Sequence, residues 1–196
     1  NDAFHALNCF ENDWFDGSTP YQCGCGPQPT PPSGPVARGG QADLTLRAPA
    51  TAKPGDVVYV DVHMGAAVDA LRGYQLHLGT AGGDSGALEL VDISVNTRRR
   101  DYAFAGAPGT WNAFNVDAAQ MVVGMDAPLG VPVRAGAYLA TFVYRATPDA
   151  RGRFLIEVLH NEANAKHRTF LFPTPAAGRI SVESSTDVAI TVSGKR

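Results

Sequence analysis

From about Ala42 onward the chain alternates apolar and polar residues with period two. Leu44 and Leu46 alternate with Asp43, Thr45 and Arg47. Val58, Val60, Val62 and Met64 point one way, and Val57, Tyr59, Asp61 and His63 the other. Tyr74, Leu76 and Leu78 alternate with Gln75 and His77, and Tyr138, Ala140, Phe142 and Tyr144 with Leu139, Thr141, Val143 and Arg145. Further strands are predicted at Leu88 to Val95, Phe154 to His160, Arg179 to Glu183 and Val188 to Val192. Trp111 to Val116 and Ala119 to Met125 read as a hairpin around Asp117-Ala118. Side chains of a strand alternate between the two faces of its sheet, so this pattern, punctuated by Gly, Pro and Asp, predicts an antiparallel β-sandwich. No stretch has the period of an amphipathic helix. Residues 161 to 177 are polar, then Pro-rich, and read as a long loop. Ala52-Lys53-Pro54-Gly55-Asp56 reads as a turn.

The first 35 residues differ. Residues 1 to 26 carry Phe4, Phe10, Trp14, Phe15 and Tyr21 with no sustained period. Pro-Gln-Pro-Thr-Pro-Pro-Ser-Gly-Pro at 27 to 35 reads as a polyproline-type spacer, because proline lacks the amide hydrogen a sheet ladder needs. The division predicted is therefore an arm and linker at 1–35 and a sandwich domain at 36–196. Aromatics without a core of their own are natural anchors on a partner. This makes Phe10, Trp14, Phe15 and Tyr21 candidate partner-binding residues.

Composition supports the pattern. The 196 residues include 21 Gly and 14 Pro, and only 18% are charged, as suits many short strands and turns. The net charge of -3 argues against a nucleic-acid binder, which needs basic surface to displace counterions. No apolar run reaches the roughly 20 residues of a transmembrane helix. The three cysteines, Cys9, Cys23 and Cys25, all lie in the arm. That arrangement suggests local stapling in an oxidising compartment, with Cys9 paired to Cys23 or to Cys25 and one thiol left over. The expected setting is extracytoplasmic, periplasm or cell surface, with a signal peptide already removed.

The sequence has no Gly-x-Ser-x-Gly elbow, His-Glu-x-x-His pair, phosphate loop or Gly-rich dinucleotide turn. No enzyme activity and no cofactor are expected. His5, Cys9, Cys23 and Cys25 have zinc-ligand chemistry but not the spacing of a finger or ribbon. Asn8 to Gly17 holds oxygen ligands without the EF-hand order, and Asx turns account for it more simply. Asp61, His63 and His77 are read as facing outward on neighbouring strands; facing imidazoles have metal-ligand chemistry, but solvated side chains account for them more simply, and no metal is expected. Arg98-Arg99-Arg100 ends a strand. Three adjacent guanidinium groups suit an acidic partner or a phosphate, and a solvated loop accounts for them equally well. For a sugar platform the available aromatics are Tyr59, Tyr102 and Trp111.

Several segments carry a family resemblance over residues 42 to 184. Lys53-Pro54-Gly55-Asp56 with Val57 to Val62 resembles the opening turn and second strand of cohesins. Leu71 to Leu78 followed by Leu88 to Val95 is similar to their next strand pair, with a Gly-rich link at Gly79 to Ala87. Gly136 to Arg145 looks like the late Gly-x-(apolar)-Ala strand, and Gly178-Arg179-Ile180-Ser181-Val182 like the terminal one. Carbohydrate-binding modules share this sandwich. The resemblance implies a jelly-roll fold outside the cytoplasm and binding of a dockerin or a polysaccharide. The arm, the loop at 161 to 177 and a strand at 187 to 193 are additions to the family pattern. The function expected is thus a non-catalytic interaction module, an accessory subunit of an envelope or membrane-associated assembly. The alternatives are dockerin or polysaccharide binding.

Overall fold

The computed structural model describes residues 42–106, 110–115, 120–125, 130–160, 168–172 and 180–194. Side chains of 42, 110–115, 120–125, 180, 181, 183 and 184 are outside the description. The strands are β1 (Ala42–Arg47), β2 (Thr51–Ala52), β3 (Val57–Met64), β4 (Val68–Leu71), β5 (Gly73–Gly82), β6 (Leu88–Ser94) and β7 (Thr110–Asn115). They continue with β8 (Gln120–Met125), β9 (Val131–Val133), β10 (Tyr138–Ala146), β11 (Gly152–Val158), β12 (Phe170–Phe172), β13 (Ile180–Thr186) and β14 (Val188–Val192). Among the described residues there is no helix.

One layer runs β13-β1-β3-β10-β6. The other runs β2-β14-β11-β5-β8-β7, and β12 joins the two by pairing with both β5 and β13. Most pairs are antiparallel; β1 with β13 and β14 with β2 are parallel. The core lies between the layers. Leu44, Leu46, Val58, Val60, Val62, Phe142 and Tyr144 from the first layer meet Tyr74, Leu76, Phe154, Ile156 and Ile190 from the second. Each fully buried aliphatic or aromatic side chain contributes about 1.5–3 kcal/mol of transfer free energy, which is why the period-two pattern fixes the register.

Local chemistry sets the connections. In the β2–β3 turn, Asp56 N donates to Lys53 O at 3.1 Å and Lys53 N to the Asp56 carboxylate at 2.8 Å. Proline at the second position and Gly55 at φ 85° at the third are what this reversal requires.

Three sequence expectations are corrected. The segment 161 to 177 is not all loop: Phe170, Leu171 and Phe172 are buried and form β12. Three residues are too few to display alternation. His63 and His77 are not outward neighbours. β3 pairs with β1 and β10, and β5 with β8, β11 and β12, so the two imidazoles sit in different layers. Both are buried as well, at 1% and 7% exposure. The His63 end of the first layer lies under the β6–β7 connection. On β5, Gln75 donates to Arg168 O at 2.6 Å and His77 N to the Thr169 hydroxyl at 2.9 Å, so residues 168–169 seal that strand's outer side. The period-two pattern groups Tyr138 with the core-facing Ala140, Phe142 and Tyr144, but Tyr138 is buried from the other side of the sheet. A register shift after it pairs Tyr138 with His63 and Ala140 with Val62, which turns Tyr138 toward the outward residues of β3.

Candidate functional site

The outward side of β3, β10 and β6 divides into two halves. At one end the β6–β7 connection folds over the sheet and is pinned there. Arg99 donates through Nε and Nη2 to both Asp101 oxygens at 2.9 and 2.8 Å, and through Nη1 to Asp61 at 2.7 Å. The second Asp61 oxygen accepts from the Thr141 hydroxyl at 2.6 Å, and that hydroxyl lies 2.8 Å from Tyr138 Oη. The guanidinium also sits 4.0 Å above the Tyr138 ring centre. Backbone bonds complete the attachment: Tyr138 N to Asp101 O at 2.7 Å and Ala103 N to Tyr138 O at 2.9 Å. The paired guanidinium beside Asp101 holds that carboxyl below the usual carboxylate range. Burial lowers the His63 imidazole, against the backbone bond to Gly136 O at 3.0 Å and the Asp61 charge, and pushes the Tyr102 phenol up to about 12.

The arginine run is therefore split in role. Arg99 is committed inside the protein. Arg98 and Arg100 are exposed. Arg100 stands on the rim of a cleft of about 290 Å³, together with Arg134 from the turn before β10. Tyr102, Val133 and Ala137, all buried, line the same cleft. Sequence reasoning missed Arg134. Its place depends on the long-range bridge between Tyr102 and Tyr138, for which there is no local signal.

The other half of the outward side is open. Val57, Tyr59 and Val91 are the exposed large hydrophobics among the described residues, Tyr59 at 60%. Tyr59 pairs with Val143 across β3 and β10, and Val57 with Arg145. Arg145 in turn pairs with Glu89, and Val143 with Asp92. The result is an apolar patch with charges at its edge, carried on β3, β10 and the edge strand β6. The alternation of β3 placed Val57 and Tyr59 outward, and apolar residues in an outward register are the signal for such a patch. Of the sugar-platform aromatics, Tyr59 is exposed, Tyr102 is buried at 4% and the Trp111 side chain is outside the description.

Among the described residues no group of three or more His, Cys, Asp or Glu could hold a metal ion. Phe10, Trp14, Phe15, Tyr21, His5 and the cysteines Cys9, Cys23 and Cys25 lie outside the described residues. No helix among the described residues is long and apolar enough to cross a membrane.

Comparison with solved structures supplies the fold's relatives. The third ScaB cohesin of R. flavefaciens, solved in complex with a group 1 dockerin, superposes with a TM-score of 0.56 at 16% identity. The match covers 82% of this chain and all of that one. The chain has a cohesin-like β-sandwich fold. A chain of a CaDoc–CaCohA2 complex gives a TM-score of 0.52 at 14% identity, covering 78% of this chain and 99% of the other. No protein-family model matches the sequence, and no curated protein matches it. β14 pairs with β11 in the second layer of the sandwich.

Proposed function

We propose that this chain is a non-catalytic, extracytoplasmic protein-interaction module, an accessory subunit of a larger envelope or membrane-associated assembly. In this reading residues 36–196 form the body and residues 1–35 an arm with Phe10, Trp14, Phe15 and Tyr21 as further contacts. Tyr59 carries the reading. A large aromatic side chain 60% exposed on a rigid sheet, beside Val57 and Val91, has its hydrophobic surface unspent. Aromatic residues ringed by polar ones are what protein interfaces bury at their centres. The dockerin bound to the R. flavefaciens cohesin favours a small protein module as partner over a polysaccharide. A sugar platform needs several coplanar rings, and Tyr59 has Val57 and Val143 beside it.

The test is size fractionation of the native protein from its source in mild detergent, followed by identification of what comigrates. Tyr59→Glu should weaken the association by tenfold or more, about 1.4 kcal/mol, at an unchanged melting temperature. Removal of residues 1–35 should weaken it again. Association unaffected by both changes rejects the reading. Migration at monomer mass together with retention on a polysaccharide column moves the function to carbohydrate binding.

A further inference from the structure

The cleft that carries Arg100 and Arg134 is lined also by Tyr102, Val133 and Ala137, and by Asp101, whose carboxylate is already paired with Arg99. Neither Arg100 nor Arg134 has an ion-pair partner among the described residues. Its volume, about 290 Å³, is at the lower limit for small-molecule sites and suits a few amino-acid side chains better. It therefore matches a peptide that combines an aromatic residue with flanking carboxylates.

The chain itself contains such a segment. Residues 1–37 hold Asp2, Glu11, Asp13 and Asp16 and no Lys or Arg. These residues thus carry a formal charge of -4 within a chain of -3, which leaves the remainder at +1. Glu11-Asn12-Asp13-Trp14-Phe15-Asp16 puts two aromatics between carboxylates. The place where this segment joins the body is close to the cleft. Asp43 O accepts from Gly65 N at 2.6 Å, and Leu44 pairs with Met64. Met64 N donates to Ala137 O at 2.8 Å, and Ala137 lines the cleft. Twenty-five residues separate Asp16 from Ala42, a tether that keeps its end at millimolar effective concentration around the body. Even a weak contact is then well populated.

We propose that the Arg100–Arg134 cleft is a peptide-binding site for acidic aromatic segments, and that its resident occupant is Glu11–Asp16 of the same chain. In this proposal Asp13 and Asp16 pair with the two guanidinium groups, and Trp14 or Phe15 sits between them at the mouth of the cleft. This goes beyond the interaction role above, because it concerns the free chain. A partner that needs the arm has to displace it from the cleft.

The experiment labels the full chain with 5-fluorotryptophan. Its two tryptophans, Trp14 and Trp111, give two fluorine resonances, and a Trp14→Phe sample assigns them. In the unaltered chain the Trp14 resonance should lie away from the position of an unstructured peptide. Arg100→Glu with Arg134→Glu should move it to that position and leave the Trp111 resonance in place. Adding Asp13→Arg and Asp16→Arg should restore the shift, which a merely structural disturbance would not do. Asp13→Asn with Asp16→Asn leaves the body untouched and should release the same resonance. A Trp14 resonance at the unstructured position in the unaltered chain, or one that charge reversal does not move, overturns the proposal. A Trp14 shift that disappears on dilution, with a dimer at high concentration, also overturns it, since the occupant would then be a second copy. Because no partner is present, failure here leaves the assembly reading to its own test.

Discussion

The Arg99 guanidinium lies 4.0 Å above the Tyr138 ring centre while its edge grips both oxygens of Asp101. One side chain thus joins the β6–β7 connection to β10 and, through Asp61, to β3. All three charged groups are about one-third exposed, so solvent screens their pairing. Stacking on the ring and the bidentate geometry still add to it. Arg99→Ala should cost about 2 kcal/mol and lower the melting temperature by about 4–8 °C. Arg99→Lys keeps the charge but loses the fork, and should recover less than half of that. Thermal melts of the two variants at low and high salt check this. Equal stability of the Lys variant and the unaltered protein would mean that only the charge matters.

His63 links stability to pH. Its imidazole is buried and lowered from 6.5, with burial opposed by the Gly136 bond. Arg47 and Arg99 push the same way as burial, and Asp61 pushes back. The unfolded chain therefore takes up a proton near pH 6.5 while the folded chain resists it. The contribution is fully present above about pH 6.5 and is lost as pH falls toward the folded value. His63→Asn keeps an amide donor for Gly136 O without a titrating ring. Denaturant melts between pH 5 and 7.5 should show the unaltered protein losing stability more steeply than the variant. Parallel curves would contradict the burial argument.

Gly83 tests the end of β5. It has φ +82°, and a Cβ added there would run into the Phe154 ring. Phe154 is itself 2% exposed in the core, so the ring has little room to retreat. Gly83→Ala should cost about 3 kcal/mol from the backbone conformation and overpacking together. In a Phe154→Leu background the same change should cost about 1 kcal/mol less. A double-mutant cycle by urea unfolding measures the difference. Strict additivity would place the whole cost in the backbone.

Much of the fold could be read from alternation, because a sheet with one buried face writes its register into every second residue. Val58, Val60 and Val62 on β3 and the whole of β14 follow directly. What alternation could not show is where a connection folds back over an outward face. His63 looks exposed by register and is buried beneath 96–106. Gln75 and His77 are covered by Arg168 and Thr169 in the same way. The bulge after Tyr138 is also silent, since one extra residue leaves no compositional mark. The site fared likewise. Tyr59 was visible as an aromatic in an outward position, and the arginine run was visible as a cluster. Asp101 lies two residues from Arg99, but the commitment of Arg99 to Asp61, 38 residues away, and the meeting of Arg100 with Arg134 depend on long-range contacts, which no local pattern encodes.

Tyr144 offers a test with the opposite sign. It is 2% exposed on β10, where its neighbours in the ladder are Val58 and Leu90. Its hydroxyl has no hydrogen-bond partner among the described residues, and burial pushes the phenol well above its ordinary value. A buried hydroxyl that bonds to nothing forfeits its hydration, at about 1–3 kcal/mol. Tyr144→Phe removes the oxygen and keeps the ring, so it should be neutral or raise stability by about 1 kcal/mol, or about 2–4 °C in melting temperature. Ring packing is retained, and the oxygen leaves only a small void. Calorimetry of the two proteins decides it. A loss of more than about 1 kcal/mol would mean that the hydroxyl is satisfied after all, by a trapped water, and a high-resolution crystal structure would then find that water beside Tyr144.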